Sequence, residues 1–384
     1  MPNATAYVDR LAHSFWNRAA AASVSNPASL GFFRILFGLF MLVFMTPHTR
    51  WLANVPQAFF DPPYLSLANL LPSFPPEGFF LMLDLGAILA LGLITLGVKT
   101  RLSTGMFVLL SLTGKNFIYA FGKIDHDILV YALAACMIFS GWGRHYALLP
   151  DKPSRFDAPR LALSLLAVFV AFGMFTAGFQ KAFLWLDLNP ATSGFLKWFY
   201  SGYYAHGRTA LLAPLVPQVP TSLFELADIV AVLFELSGFA FLLFGRRAWL
   251  GWLSMAAFFH LINTLTLNIA FHQHVLVYLA FVNFAGLGAR LGVAPVRGFA
   301  GKPVKRLLVW SVCLLTGAQV LLALIGQGSS FLFITDTALR ETALLYGSVL
   351  FWSAALAVLL YDLLLGSATK PKVVGYPKGT LDLG

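Results

Sequence analysis

The stretch LALSLLAVFVAFGMFTAGFQKAFLWLDL, Leu161 to Leu188, decides the fold class. It is apolar almost throughout and exceeds the roughly 20 residues a helix needs to cross a bilayer. Lys181 interrupts it. A charged amine at membrane depth is costly unless something holds it. Two readings stand open: an anchor whose amine reaches the interface, or a working group.

The rest of the chain repeats the pattern. Of 384 residues, 59% are hydrophobic and 11% charged, against about 25% charged in soluble domains. Apolar runs of helical length predict membrane helices over about 28–48, 77–97, 102–122, 126–143, 161–183, 222–244, 249–270, 274–289, 307–327 and 341–364. The expected fold is an all-α polytopic membrane bundle of about ten helices, eight at the fewest, without a sizeable soluble domain. Residues 1–25 read as an amphipathic cytoplasmic segment, with Tyr7, Leu11, Phe15 and Trp16 near one face. Residues 26–290 form the main membrane domain, 291–366 two additional helices and 367–384 a basic cytoplasmic tail. The two cysteines, Cys136 and Cys313, lie in apolar runs; neither a disulfide framework nor a cysteine metal site is expected.

The net charge of +10 is placed rather than diffuse. With the N-terminus inside, most Lys and Arg fall on cytoplasmic segments, among them Arg144, Lys152, Arg155, Arg160, Arg246 and Arg247. Placement relative to a membrane accounts for the charge, so no nucleic-acid partner is expected. Both termini are expected in the cytoplasm and the protein in an inner bacterial membrane, with lipids as its first partners. The long opposite loops, Arg50 to Pro76 and Asp187 to Thr221, are rich in Pro and aromatic residues and suit caps packed at the interface.

Polar residues inside the runs are the functional candidates. Arg34 lies near the inner end of the first helix, where it can snorkel, and Asp84 can pair with it or with Lys115. Glu225, Asp228 and Glu235 are spaced to share one helix face. His260 and Asn263 share another. Asp125, His126 and Asp127 sit at the expected outer mouth of a helix. Lys115, His126, Lys181, Glu225, Asp228, His272 and His274 all fall in the outer half. They form either one outward-facing cavity or scattered helix–helix hydrogen bonds. His272 and His274 are two apart, a spacing that does not put both on one helix face, and no metal is expected.

Three patterns resemble a known family. They are FTAGFQKAFLW (Phe175 to Trp185), KIDHDILVYAL (Lys123 to Leu133), and FELSGFAFLLFGRR (Phe234 to Arg247) followed by FFHLINTLTLNIAF (Phe258 to Phe271). Over Leu30 to Gly288 the chain resembles the HTTM, or horizontally transferred transmembrane, proteins, which are related to vitamin K-dependent gamma-glutamyl carboxylase. The resemblance implies Lys181 as a catalytic base and His126 as the residue that holds the substrate. It also places His260 and Asn263 on the cavity wall; Lys115, Asp125, Glu225, Asp228, Glu235 and His272 are the further cavity-lining candidates, read from their depth and spacing.

The cofactor so implied is a reduced quinone of the vitamin K hydroquinone kind, met as a lipid-soluble quinol. The function expected is an oxygen- and quinol-dependent modification of a hydrophobic or peptide substrate, with a secreted peptide or protein as possible partner. The alternatives are a non-enzymatic maturation factor for a secreted peptide and a proton-coupled transporter. Where the carboxylase continues into a large lumenal domain, this chain shows two further helices and a basic tail.

Overall fold

The first membrane helix starts where its capping residues stand. The Asn26 side chain accepts the Ala28 amide at 2.8 Å, and Pro27 occupies the first helical position. The structure, a computed structural model, describes residues 4–64, 66–121, 126–291, 302–327 and 331–365. Asp125 and the expected tail lie outside these residues.

The helices follow in order as α1 Ala4–Ser23, α2 Pro27–Phe44, α3 Glu77–Leu96, α4 Thr100–Ile118, α5 Ile128–Met137, α6 Pro159–Trp185 and α7 Gly194–Tyr200. Then come α8 Thr221–Leu236, α9 Gly238–Leu243, α10 Arg246–Leu267, α11 His274–Leu279, α12 Phe284–Arg290, α13 Lys302–Leu324 and α14 Thr337–Leu365. The protein is an all-α membrane bundle. Among the described residues, six helices are long and apolar enough to span: α2, α3, α6, α10, α13 (from Pro303) and α14.

The count of ten is not confirmed by length and composition, for local reasons. The helix expected at 222–244 breaks at Ser237, whose hydroxyl turns back to the Phe234 carbonyl. Adjacent Ser and Gly residues are a recurrent kink site. The freed carbonyl also accepts the Trp252 indole N–H at 3.2 Å. The helix expected at 274–289 is two short pieces, because Asn283 caps α12 instead of continuing α11. Helix α4 has spanning length, but Arg101, Ser103, Thr104, Ser111, Lys115 and Asn116 make it too polar to count by composition.

The interior is aromatic and aliphatic. Trp142, Trp249, Trp252 and Trp352 are fully buried, with Phe33, Phe37 and Phe107. Bulky apolar side chains elsewhere on α6, α8, α13 and α14 face outward, as a lipid-facing surface requires. Helix α3 packs on α2, α4 and α13; α6 packs on α5 and α8; α14 lies against α10 and α11. The helical segment at the N-terminus exposes Tyr7, Leu11 and Trp16 and buries Ala19 and Ala22 at its other end. Helices α13 and α14 are tied into the rest. Arg50 caps the last carbonyls of α13, at Ala323 and Leu324, and Asp362 of α14 binds Arg246 and the Asn283 amide.

Arg34 does not snorkel. It is 0% exposed. Its terminal nitrogens reach the Ile94 carbonyl at the end of α3 (2.7 Å) and the Tyr146 carbonyl (2.6 Å). A helix C-terminus offers unpaired carbonyls and a partial negative charge, so it competes successfully with the interface for a guanidinium. Asp84 pairs with neither Arg34 nor Lys115. It accepts the Thr49 amide and hydroxyl and the Arg50 amide, which ties the loop after α2 to α3.

Candidate functional site

Lys181 and Glu235 meet across α6 and α8. A Cβ on Gly178 would lie 2.7 Å from the Glu235 Cβ, so the two backbones approach this closely only because residue 178 is glycine. Gly238 plays the same part against Ala171, where an added Cβ would come within 3.3 Å of the Ala171 Cα. Lys181 stands one turn nearer the end of α6 than Gly178. Side chains in a helix lean toward its N-terminus, so the amine leans back into the bundle. Lys181 Nζ lies 2.5 Å from Glu235 Oε1. The Glu235 side chain is 2% exposed and that of Lys181 25%. The anchor reading of Lys181 therefore gives way to a buried ion pair. Trp185 and Phe259 present their rings to the amine at 5.0 and 5.7 Å. Glu235 Oε2 is buried and accepts no hydrogen bond.

A second polar chain lies near the pair, with no hydrogen bond joining the two among the described residues. His260 lies within electrostatic reach of Lys181 and His274, and Tyr278 within reach of Glu235. His260 Nε2 is 2.9 Å from the Tyr278 hydroxyl, and its ring stacks on Trp352 of α14 at 4.7 Å. The His260 and His274 rings are 5.4 Å apart. His274 Nε2 bonds the His126 carbonyl at 3.1 Å, and the His126 ring lies against Phe271 and His274 at the exposed start of the α5 turn. Asn263 is half-buried one turn beyond His260.

The residues expected in one cavity separate into three groups. Lys181 and Glu235 form the ion pair, and His260, His274 and His126 the chain near it. Glu225 and Asp228 serve the loop before α7: Asp228 accepts the Ser193 hydroxyl and the Gly194 and Phe195 amides at 2.7 to 3.0 Å, and Glu225 accepts the Leu188 amide at 3.1 Å. Lys115 and His272 belong to the third group. They line a cavity of 290 Å³ between α2, α3, α4, α5 and α14. There Lys115 is ion-paired with Asp127, which also accepts the Tyr119 hydroxyl. His272 and His274 lie in and just after a turn, which sends one to the cavity and the other to His260.

Sequence reasoning passed over Tyr278, Trp352 and Ser111. Tyr278 had a signal, since it stands four residues after His274 on one helix face. Trp352 had none, because the stretch around it, Val349 to Leu360, is apolar but for Ser353.

No curated protein and no solved structure matches the chain. Residues 23–285 match the model of the HTTM domain, well over half of the sequence. The chain belongs to the HTTM family.

Proposed function

We propose that this integral membrane protein carries out vitamin K-dependent carboxylase-like chemistry. The reaction is an oxygen- and quinol-dependent modification of a hydrophobic or peptide substrate, and the Lys181–Glu235 pair handles its protons. The observation that carries this reading is an ion pair whose carboxylate is buried with one oxygen unpaired, made by a lysine whose side chain is 25% exposed. Structural ion pairs are normally saturated with hydrogen bonds. This one is not.

The residues suit a reduced quinone. A phenolic hydroxyl needs a buried acceptor, and Glu235 Oε2 is one. A flat ring needs apolar walls, and Trp185 and Phe259 flank the amine. Such a group, when bound, supplies the electrons for reaction with oxygen. Passing one proton from Lys181 Nζ to Glu235 Oε1 turns the pair into a neutral amine and a neutral acid. In an apolar surrounding both arrangements avoid an uncompensated charge. Lys181 can thus act as a base without loading the membrane with net charge, and Glu235 takes up the displaced proton. His126 positions the substrate at the mouth of α5. His260 and Tyr278 hold the inner wall, and the surrounding apolar side chains keep water from a reactive intermediate.

The test is oxygen uptake by the protein in lipid nanodiscs supplied with a reduced naphthoquinone. Wild-type protein is expected to turn the quinol over, and Lys181→Ala to do so about 100-fold more slowly, the scale of a lost general base. Equal turnover in both proteins would sink the lysine-base reading. Absence of wild-type turnover with any quinol would remove the enzymatic one.

A further inference from the structure

The segment joining α6 to α8, residues 186–220, is tied to all three helices that build the Lys181 centre. On α8, Glu225 accepts the Leu188 amide and Asp228 holds the turn into α7. At the end of α10, the Leu265 carbonyl accepts the Leu212 amide at 2.9 Å. The Asn268 side chain there accepts the Ala210 amide at 2.9 Å and donates to the Ala210 carbonyl at 3.1 Å. On α6, the contact is Trp185.

A Cβ added to Gly194 would fall 2.1 Å from Trp185 Cγ, 2.3 Å from Cδ1 and 2.4 Å from Cδ2. Only a glycine lets the backbone of this turn lie so close to the indole. The same indole has the Lys181 amine 5.0 Å from its ring centre. One ring therefore touches both the turn into α7 and the working amine.

Asp228 fixes that turn. It is 1% exposed. One carboxylate oxygen accepts the Ser193 hydroxyl and the Gly194 amide, and the other accepts the Phe195 amide. Donors from three consecutive residues on one carboxylate leave the turn a single position. Asp228 stands seven residues before Glu235, two turns along the same face of α8. That face thus carries the acid that meets Lys181 and the acid that holds Gly194 to Trp185.

We propose that Asp228 is a positioning residue of the Lys181–Glu235 centre. It fixes Gly194 against Trp185, and the indole so held sets where the Lys181 amine lies beside Glu235. Loss of the hold frees the indole and uncovers the amine. The consequence for turnover rests on the reading of Lys181 as a base. The consequence for the amine does not.

Acetic anhydride, which acylates amines, reads the amine directly when the protein in nanodiscs is treated, digested and analysed by mass spectrometry. Lys115, paired with Asp127 in the separate cavity, is the internal reference. Asp228→Asn and Trp185→Ala should each raise acylation of Lys181 about tenfold relative to Lys115, the scale of a lost cation–π contact. In the Trp185→Ala background Asp228→Asn should add nothing, because it acts through the indole. Ser193→Ala removes one of the three donors and should give a rise of about threefold, which keeps the test open if Asp228→Asn does not fold. Quinol turnover should fall in the variants as acylation of Lys181 rises. An unchanged ratio of Lys181 to Lys115 acylation in both Asp228→Asn and Ser193→Ala overturns the proposal. So does an additive effect in the double variant. The expected acylation pattern in a protein that turns over no quinol removes the proposed reaction and leaves the positioning role standing.

Discussion

Arg34 and Lys181 are both basic residues inside apolar helices, yet the bundle treats them oppositely. Arg34 is completely enclosed, and its terminal nitrogens are consumed by carbonyls at the end of α3 and in the 145–146 turn. Lys181 keeps a quarter of its surface open and meets a carboxylate whose second oxygen has no partner. A cation bound to backbone carbonyls is a clamp. Its partners cannot change protonation state, so it can only hold. A cation bound to a carboxylate can exchange a proton with it, and the buried second oxygen is an acceptor still unused. What a charge at membrane depth can do is therefore set by its partner, not by the residue alone.

The contrast can be broken by substitution. Arg34→Met removes the guanidinium from the Tyr146 carbonyl and from the Ile94 carbonyl, which keeps only the Gly97 amide, and should cost about 3 kcal/mol of stability in detergent unfolding, with turnover per folded molecule unchanged. If Arg34→Met instead abolishes turnover while the fold survives, the clamp is also part of the site. Glu235→Gln should do the reverse. Its expected loss of about 100-fold in quinol turnover corresponds to about 2.7 kcal/mol of barrier, with a much smaller shift in melting temperature.

Gly178→Val tests the close approach that brings the pair together. The added side chain meets the Glu235 Cβ. It should cost about 2 kcal/mol by forcing α6 from α8, and should lower turnover with it. Retained turnover would mean that the pair does not depend on this contact.

The smallest effect concerns a group outside the spanning helices. Asp157, whose side chain is 5% exposed, binds Arg101 and Arg144 and accepts the Ser154 amide. Burial pushes its carboxyl up, but the Ser154 amide and the two guanidiniums outweigh this and hold it below the usual carboxylate range. Its folded value thus lies below its unfolded one. The stabilisation is complete above the ordinary Asp value of about 3.9 and fades as pH falls through the lowered one. Asp157→Asn should cost about 1 kcal/mol at neutral pH, and the difference from wild type should shrink in acid. A difference that persists at low pH would show that packing, not charge, is lost.

Much of the bundle was legible. Long apolar runs placed α2, α3, α6, α10, α13 and α14 within a few residues, because hydrocarbon demands a continuous helix of fixed length. The breaks were legible only in part. The Ser237–Gly238 pair is a recognisable weak point, yet nothing local says that Trp252 will accept the duty of bonding the Phe234 carbonyl. In the same way Asn283 could have sat inside a helix, and its capping of α12 depends on Asp362, far along the chain.

By itself the sequence determined that this is an all-helical membrane protein of the HTTM kind, and that Lys181, Glu235, His260 and His272 carry polar groups into apolar surroundings. Those conclusions follow from composition, period and local motif. Only the tertiary structure decided that Lys181 faces Glu235, that Asp84, Glu225 and Asp228 bind loops, and that Lys115 and His272 line a separate cavity to which α14 contributes. The reason is physical: a charged side chain in a bundle is defined by the partner on a neighbouring helix, and helix rotation, a glycine contact or a one-residue kink chooses that partner.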